Sequence, residues 1–293
     1  MNLKKSIDYQ AIIKTLAYAD IFDYPLTLEE IHRYLIGYNT SIQSLNKSVT
    51  LSNLKQYRGY YYLPGRKKIV SNRLKRARTS IEKIIYAKSL SSKLRVIPSI
   101  RAIYITGALA MNNSETDDDI DLMIITSPNT LWITRLMVNS VLDTFNLRRK
   151  PIYPQPISFT NKICLNLWLD QSALTISKTN RNLYVAHEVA QALPIFDRLG
   201  VHQQFLYQNR WIKKYLPNFP NPKKPKITIK QFNNSTISLY LETLAYRFQI
   251  RIMSSKKTRE KISPHSAFFH PRDTGSWVMR EYKKRVKSLN SKS

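Results

Sequence analysis

The chain has 293 residues and a formal net charge of +28, with 47 Lys and Arg against 19 Asp and Glu. The length allows two or three folded modules. The charge favours a polyanionic partner or highly charged substrates, although an AT-rich coding bias toward Lys, Asn and Ile would also produce it. No apolar run approaches the roughly 18 residues of a membrane-spanning helix, and the segment after Lys4 and Lys5 lacks the apolar stretch of a signal peptide. A single cysteine, Cys164, cannot form an internal disulfide, and these features together favour a cytoplasmic location.

Three helices are predicted near the N-terminus. Apolar residues recur at helical spacing over 9–19, a second helix is expected after Thr27, and a third between 41 and 56. Glu30 stands three residues after Thr27, which is the spacing of a capping box. The capping box predicts that the second helix begins here.

A hairpin is predicted next. The turn signal Pro64-Gly65 separates a tyrosine-rich segment from the basic residues Arg66, Lys67 and Lys68. Three helices and a hairpin resemble a winged helix-turn-helix domain, which here covers the first 71 residues. The resemblance implies either nucleic-acid binding, with the third helix in a groove and the basic tip on phosphates, or a docking or purely structural role.

The segment 72–98 is predicted to be a linker, formed mostly by an amphipathic helix over 72–94. Its apolar face is expected to pack on the next module. Its outer face is expected to be basic, with Arg73, Lys75, Arg76, Arg78, Lys83 and Lys88.

The most informative motif lies at residues 105–125. One apolar segment ends at the turn signal Gly107-Ala108, and a polar loop leads to a second apolar segment that opens with Asp119 and Asp121. Successive side chains of a strand point to opposite faces, so both carboxylates are expected on one face and the intervening Ile and Leu residues in the core on the other.

Two carboxylates held on one strand form a suitable site for Mg²⁺, which proteins bind through one or two carboxylates, with water and substrate phosphates completing the coordination. Gly107 lacks Cβ, so the backbone there can turn tightly and approach a phosphate. The alternative is that the acidic run 115–119 is only a solvated loop. The glycine turn and the apolar flanks favour a site.

This combination resembles the DNA polymerase beta-like nucleotidyltransferase superfamily, whose signature is a Gly-Ser or Gly-Gly turn followed, roughly a dozen residues later, by Asp-x-Asp in an apolar strand. The resemblance covers about residues 100–170, and Ala108 stands where the family usually has Ser or Gly. It implies an NTP substrate, Mg²⁺ or Mn²⁺ held by Asp119 and Asp121, and phosphate contacts at Gly107 and Ala108.

The resemblance also implies a third carboxylate on a later strand, here predicted at 163–169. Either Asp170, at the end of that strand, supplies it, or Asn166 has replaced it. Asp170 would activate the acceptor hydroxyl or support a second metal. Asn166 could coordinate through its carbonyl oxygen but could not act as a base.

The remaining chain is predicted to be largely helical. Helices are expected at 129–145, around 184–190 and at 238–253, with a Pro- and Lys-rich linker after 216 and a basic tail. Five polar residues here allow both a structural and a functional interpretation: Arg135 as a triphosphate contact, His187 and Glu188 as neighbours of an acceptor, and His265 with His270 as a metal site.

These expectations combine into an α+β fold with an N-terminal winged helix-turn-helix, a central nucleotidyltransferase mixed sheet with flanking helices, and a helical C-terminal extension. The predicted domains are 1–71, the linker helix 72–98, the core 99–216, and 217–293. The predicted function is Mg²⁺-dependent transfer of a nucleoside monophosphate to a protein, RNA or small molecule, with catalytic residues Asp119, Asp121 and Asp170. The alternative is a DNA- or RNA-binding regulator that uses a degenerate nucleotidyltransferase module as a nucleotide sensor or scaffold.

Overall fold

A six-stranded mixed sheet lies at the centre of the protein. The computed structural model describes residues 7–52, 54–150, 159–225, 235–254, 261–269 and 273–290. The helices are α1 (Ile7–Asp20), α2 (Leu28–Arg33), α3 (Ile42–Leu51), α4 (Lys68–Leu94), α5 (Gly107–Ala110), α6 (Leu131–Thr144), α7 (Leu183–Gln191), α8 (Val201–Gln208), α9 (Thr236–Ser254) and α10 (Thr274–Asn290). The strands are β1 (Gln56–Tyr57), β2 (Tyr60–Tyr61), β3 (Ile100–Ile105), β4 (Ile120–Thr126), β5 (Ile163–Asp170), β6 (Leu193–Asp197), β7 (Lys261–Ser263) and β8 (Ser266–Phe268).

The strand order of the sheet is β6-β3-β4-β5-β8-β7. The pair β4 and β5 is parallel, and the other pairs are antiparallel. The parallel register sets Cys164 beside Asp121 and Asp170 beside Thr126, with an irregularity after Leu122 where β5 carries one extra residue. The α+β class and the mixed sheet agree with the sequence-based prediction.

The two faces of the sheet pack against different helices. Ile120, Leu122 and Ile124 are fully buried in a cluster with residues of α4, α6 and α9. Met123 and Ile125 belong to a second cluster, with residues of α7 and α8. Asp119 and Asp121 alternate with Ile120, Leu122 and Ile124 and therefore lie on the same face as Met123. This confirms the prediction that the carboxylates share one face and the apolar residues the other.

The N-terminal segment forms the predicted three helices. The capping box is confirmed: the Thr27 side chain accepts from the Glu30 amide at 3.2 Å, and the Glu30 carboxylate accepts from the Thr27 amide at 2.9 Å. An isolated antiparallel bridge joins Leu26 to Tyr61. The winged-helix classification itself stays a prediction.

The predicted position of the hairpin is wrong. The turn lies at Arg58-Gly59, which joins β1 to β2 and has positive φ at both residues, 51° and 80°. Two left-handed residues form a tight two-residue turn, so the tyrosine-rich segment is the second strand of the hairpin. The basic residues that follow lead directly into α4, which begins at Lys68, four residues before the predicted linker start at Asn72.

The predicted basic outer face of α4 is wrong at two positions. Arg73 is 6% exposed, ion-paired with Glu30 at 2.8 Å and stacked over the Tyr24 ring. Lys83 is 4% exposed and donates to the carbonyl oxygens of Glu115 and Asp118, both at 2.6 Å. These two cations therefore anchor α4 to the N-terminal segment and to the acidic loop.

Helix α9 packs on the core, as predicted, through Ala245, but most of the apolar face predicted to be buried is exposed. The apolar residues of this helix predict a face that packs on the core; of these, Leu241, Leu244 and Phe248 are 43–57% exposed, whereas Ala245 is buried. The buried side chains of α9 include Glu242 and Gln249.

No helix among the described residues has the length and apolar character to cross a membrane. Residues 1–6, part of the predicted linker (226–234) and His270 lie outside the described residues.

Candidate active site

Asp119 and Asp121 meet at the start of β4. Together with Cys164 of the neighbouring strand they offer ligand atoms that lie within 4.8 Å of one another. All three side chains are half-buried. The predicted convergence of the two carboxylates on one face is confirmed, and the parallel register with β5 explains why Cys164 joins them.

Each carboxylate has a specific partner. Asp119 Oδ2 accepts from Arg149 Nη1 at 2.6 Å, and the Arg149 guanidinium lies over the Phe159 ring. Asp121 Oδ1 accepts from Asn166 Nδ2 at 2.8 Å. Burial, followed by the charge of Asp119, raises the pKa of Asp121 to about 7. Burial raises the pKa of the Cys164 thiol far above its ordinary value, so it remains neutral and is not a nucleophile.

Gly107 leaves room for Asp121. The φ of Gly107 is +63°, and a Cβ built there would lie 2.8 Å from Asp121 Oδ2. The backbone amide of Thr106 donates to the Asp121 carbonyl at 3.0 Å. The first position of α5 therefore needs glycine both for its left-handed backbone and for the space that the carboxylate occupies. Gly107 and Ala108 line the same cavity as Asp121.

The donor set fits a hard divalent cation. Two carboxylates supply charged oxygens, and Asn166 adds a buried carbonyl oxygen, Oδ1, that has no hydrogen-bond partner among the described residues. Mg²⁺ and Mn²⁺ prefer oxygen ligands, and two carboxylates outnumber the single soft ligand that Cys164 could offer. Asp119, Asp121 and Asn166 are the residues that would hold such an ion.

Asp170 does not lie with the pair, so the expectation that it completes the site is corrected. It is paired with Thr126, five residues along β4 from Asp121, which corresponds to roughly 16 Å of strand. Its fully buried carboxylate accepts from the amides of Asn129 and Ser172. Asp170 therefore fixes the loops at the far end of β5, and Asn166 is the β5 side chain beside Asp121.

A cavity of about 350 Å³ adjoins Asp121. Its lining includes Arg149, Asn166 and, from α7, Tyr184, His187 and Glu188. Burial raises the pKa of Glu188 to about 7, opposed by a hydrogen bond from Tyr184. Tyr184 and Glu188 also line a neighbouring cavity of about 870 Å³, which includes Met123, Leu167 and Phe268.

Sequence reasoning considered Glu188 only as a neighbour of an acceptor and gave Arg149 no role. The four-residue spacing of Tyr184 and Glu188 on a helix is a signal that they share a face, but nothing local indicates that this face turns toward Asp121. Arg149 follows the end of α6 and precedes a proline-rich stretch, so its reach to Asp119 depends on the tertiary fold.

The other candidates lie elsewhere. Arg135 donates to Gln249 on α9 and stacks on Phe269, which fits a structural role. His265 contacts Asp170, 3.3 Å from its carboxylate. The acidic loop is anchored through Arg76 to Glu115 and through Lys83, so it is not a freely solvated connection.

Comparisons with protein-family models, with curated proteins and with solved structures found no match for this chain.

Proposed function

We propose that the protein is a Mg²⁺-dependent nucleotidyltransferase that moves a nucleoside monophosphate from an NTP to an acceptor. The observation that carries the proposal is the meeting of Asp119 and Asp121 on one face of a strand, beside a glycine turn and beside Asn166, whose carbonyl oxygen has no partner among the described residues. Two carboxylates with an added oxygen donor are a typical arrangement for an ion that binds substrate phosphates.

In this reaction the acceptor oxygen bonds to the α-phosphorus, the bond from that phosphorus to the bridging oxygen breaks, and pyrophosphate leaves. Mg²⁺ at Asp119 and Asp121 would neutralise charge on the phosphates. Arg149, which is ion-paired with Asp119 and lines the cavity, would contact the phosphates once Asp119 binds the cation.

The acceptor hydroxyl must lose a proton, and Glu188 is suited to take it. It lines both the cavity beside Asp121 and the larger neighbouring cavity, so it stands between a nucleotide and an acceptor. A carboxylate whose pKa is about 7 is balanced between accepting and releasing a proton near neutral pH. Tyr184 orients it through their hydrogen bond.

The test is Mg²⁺-dependent pyrophosphate release from each of the four NTPs in the presence of total cellular RNA and protein. The wild type is compared with the double variant Asp119→Asn, Asp121→Asn. Asp117→Asn is the matched control, because Asp117 is exposed in the adjoining loop. Release by the wild type and the control, but not by the double variant, supports the proposal and identifies the nucleotide. Equal release by all three proteins contradicts it.

A second function has its own support. Asn166 stands where the superfamily's third carboxylate is expected, and Arg149 is ion-paired with Asp119. Both features would suit a module that binds a nucleotide without transferring it, in a DNA- or RNA-binding regulator. NTP binding by the wild type without any pyrophosphate release would favour this second function.

A further inference from the structure

The N-terminal helices contribute an aromatic wall to the cavity that adjoins Asp121. The lining residues from this part of the chain include Tyr18, Phe22, Tyr24 and Tyr34. Planar aromatic side chains suit a planar ligand, because every nucleobase has a π-face that stacks on them. The aromatic wall is not used by the phosphate chemistry assigned to the carboxylates.

His187 belongs to the same aromatic wall. Its ring stacks on Tyr18, with centroids 4.0 Å apart and an interplanar angle of 12°, and its centroid lies 5.6 Å from that of Tyr34. The side chain is 3% exposed. Burial lowers the pKa of His187 to about 3, so the imidazole is neutral at physiological pH.

The neutral ring has one unpaired donor. His187 Nδ1 lies 3.2 Å from Gln191 Nε2. In this orientation of the Gln191 amide its nitrogen donates, which assigns Nδ1 as the acceptor and the proton to Nε2. Nε2 has no hydrogen-bond partner in the part of the chain that the structure describes. A buried donor without a partner costs free energy, and a ligand in this cavity that brings an acceptor atom would remove the cost.

We propose that the aromatic wall is the nucleobase pocket of the NTP site and that His187 selects the base through a hydrogen bond from Nε2. This inference rests on the proposed function, since it places the phosphates of the same NTP at Asp119 and Asp121. The base stacks on the aromatic wall and offers a ring nitrogen or carbonyl oxygen to Nε2. A base that presents an amino group at this position leaves two donors facing each other and binds more weakly.

The experiment is calorimetric binding of the four NTPs and of inorganic tripolyphosphate, each with Mg²⁺, to the full chain. His187→Phe keeps an aromatic ring and removes the donor. His187→Gln keeps a donor and removes the ring, which guards against a folding defect in the first variant. His202→Phe is the matched control. His202 also contacts a tyrosine ring and has a ring nitrogen without a partner among the described residues, but it is not among the residues that line this cavity.

We expect the wild type and His202→Phe to prefer one base by about tenfold or more, the usual effect of one hydrogen bond to a buried group. His187→Phe should bind the four NTPs within about threefold of one another, with unchanged tripolyphosphate affinity. His187→Gln should bind every NTP more weakly and keep the order of preference.

Two results would overturn the inference, and they differ in what they say about the function. If His187→Phe keeps the wild-type preference, or if the wild type shows none, the base pocket is wrong while Mg²⁺-dependent phosphate binding still supports the proposed function. If the wild type binds neither NTP nor tripolyphosphate, the proposed function fails and the base pocket fails with it.

Discussion

At the scale of single residues, replacing Gly107 should lower both the stability of the protein and its binding of NTP. Gly107→Ala places a Cβ 2.8 Å from Asp121 Oδ2 on a left-handed backbone. The backbone conformation alone should cost about 1–2 kcal/mol in the free energy of unfolding, and the displaced carboxylate should abolish Mg²⁺-dependent NTP binding. Urea unfolding and calorimetry measure the two effects.

Gly37→Ala is the control for Gly107→Ala. Gly37 has a similar φ of +71°, and no atom of the described residues lies within 4 Å of the Cβ that would be added. It should lose comparable stability from the backbone and keep NTP binding. Loss of NTP binding in both variants, or in neither, would contradict the role assigned to the space beside Asp121.

The burial of His187 should make the protein less stable at acidic pH. The folded pKa of His187, about 3, lies below the ordinary value of 6.5, so between those values the unfolded chain binds a proton that the folded chain excludes. The free energy of unfolding should therefore fall as the pH decreases from 6.5, and this contribution should be constant above it. Relative to pH 7.5, the wild type at pH 5.0 should lose up to about 2 kcal/mol more than His187→Phe. Equal losses in urea unfolding would show that His187 titrates normally.

The sequence was informative at the residue scale where the signal is local. Asp119 and Asp121 are two residues apart, so strand geometry alone predicted their common face. Asn166 and Asp170 are four residues apart on one strand, and local reasoning could not decide which of them lies beside Asp121. The register with β4 decides it, because parallel pairing sets Asp170 opposite Thr126.

At the scale of secondary-structure elements, α9 stabilises the start of α6. Thr130 makes no side-chain cap, and the Glu242 carboxylate accepts instead from the amides of Trp132 at 2.7 Å and Ile133 at 2.9 Å. Glu242→Ala should leave both amides unpaired inside the protein and lower the free energy of unfolding by about 2–3 kcal/mol.

Glu82→Ala is the matched control, since Glu82 is an exposed glutamate on α4. Its effect on urea unfolding should stay within about 0.5 kcal/mol. If Glu242→Ala changes stability as little as Glu82→Ala does, the carboxylate does not cap α6.

The same contact explains why the orientation of α9 was not predicted. Its periodicity indicates an apolar stripe, and an apolar stripe normally faces the core. Here Glu242 of the polar face accepts from the amides at the start of α6. Gln249 of the same face donates to the Trp132 carbonyl at 2.8 Å. Two specific polar contacts, which periodicity cannot reveal, set the inward face.

The position of the hairpin was mispredicted for a local reason. The sequence has two turn signals, Arg58-Gly59 and Pro64-Gly65, and the hairpin turn forms at the first.

At the scale of the whole molecule, the N-terminal helices and the sheet share one cavity, and the sequence indicated each module but not their contact. Tyr24 donates to the Met111 carbonyl at 2.8 Å, and Arg73 joins Tyr24 to Glu30. These contacts are separated by up to 87 residues, beyond the range of helix or strand periodicity. The candidate site is consequently assembled from both parts of the chain.

The net charge of +28 favours binding of a nucleic acid, and the exposed basic residues indicate where it would bind. Of the three basic residues assigned to the hairpin tip, Arg66 is ion-paired with Asp20 and Asp23 and is already neutralised. Lys67 and Lys68 are exposed, as is Arg58 in the true turn. A polyanion that binds this end should therefore contact Arg58, Lys67 and Lys68.

Replacing Arg58, Lys67 and Lys68 by Ala should weaken binding to a short DNA duplex, measured by fluorescence anisotropy across a salt series. Because each neutralised phosphate releases counterions, the slope of log K against log salt should become shallower by about 2–3. The matched control replaces the exposed Lys88, Lys93 and Arg95 at the other end of α4, which removes the same charge, and its slope should change by less than about 1. Equal changes in the two triple variants would mean that the charge attracts DNA diffusely, and the nucleic-acid role predicted for the hairpin would then be withdrawn.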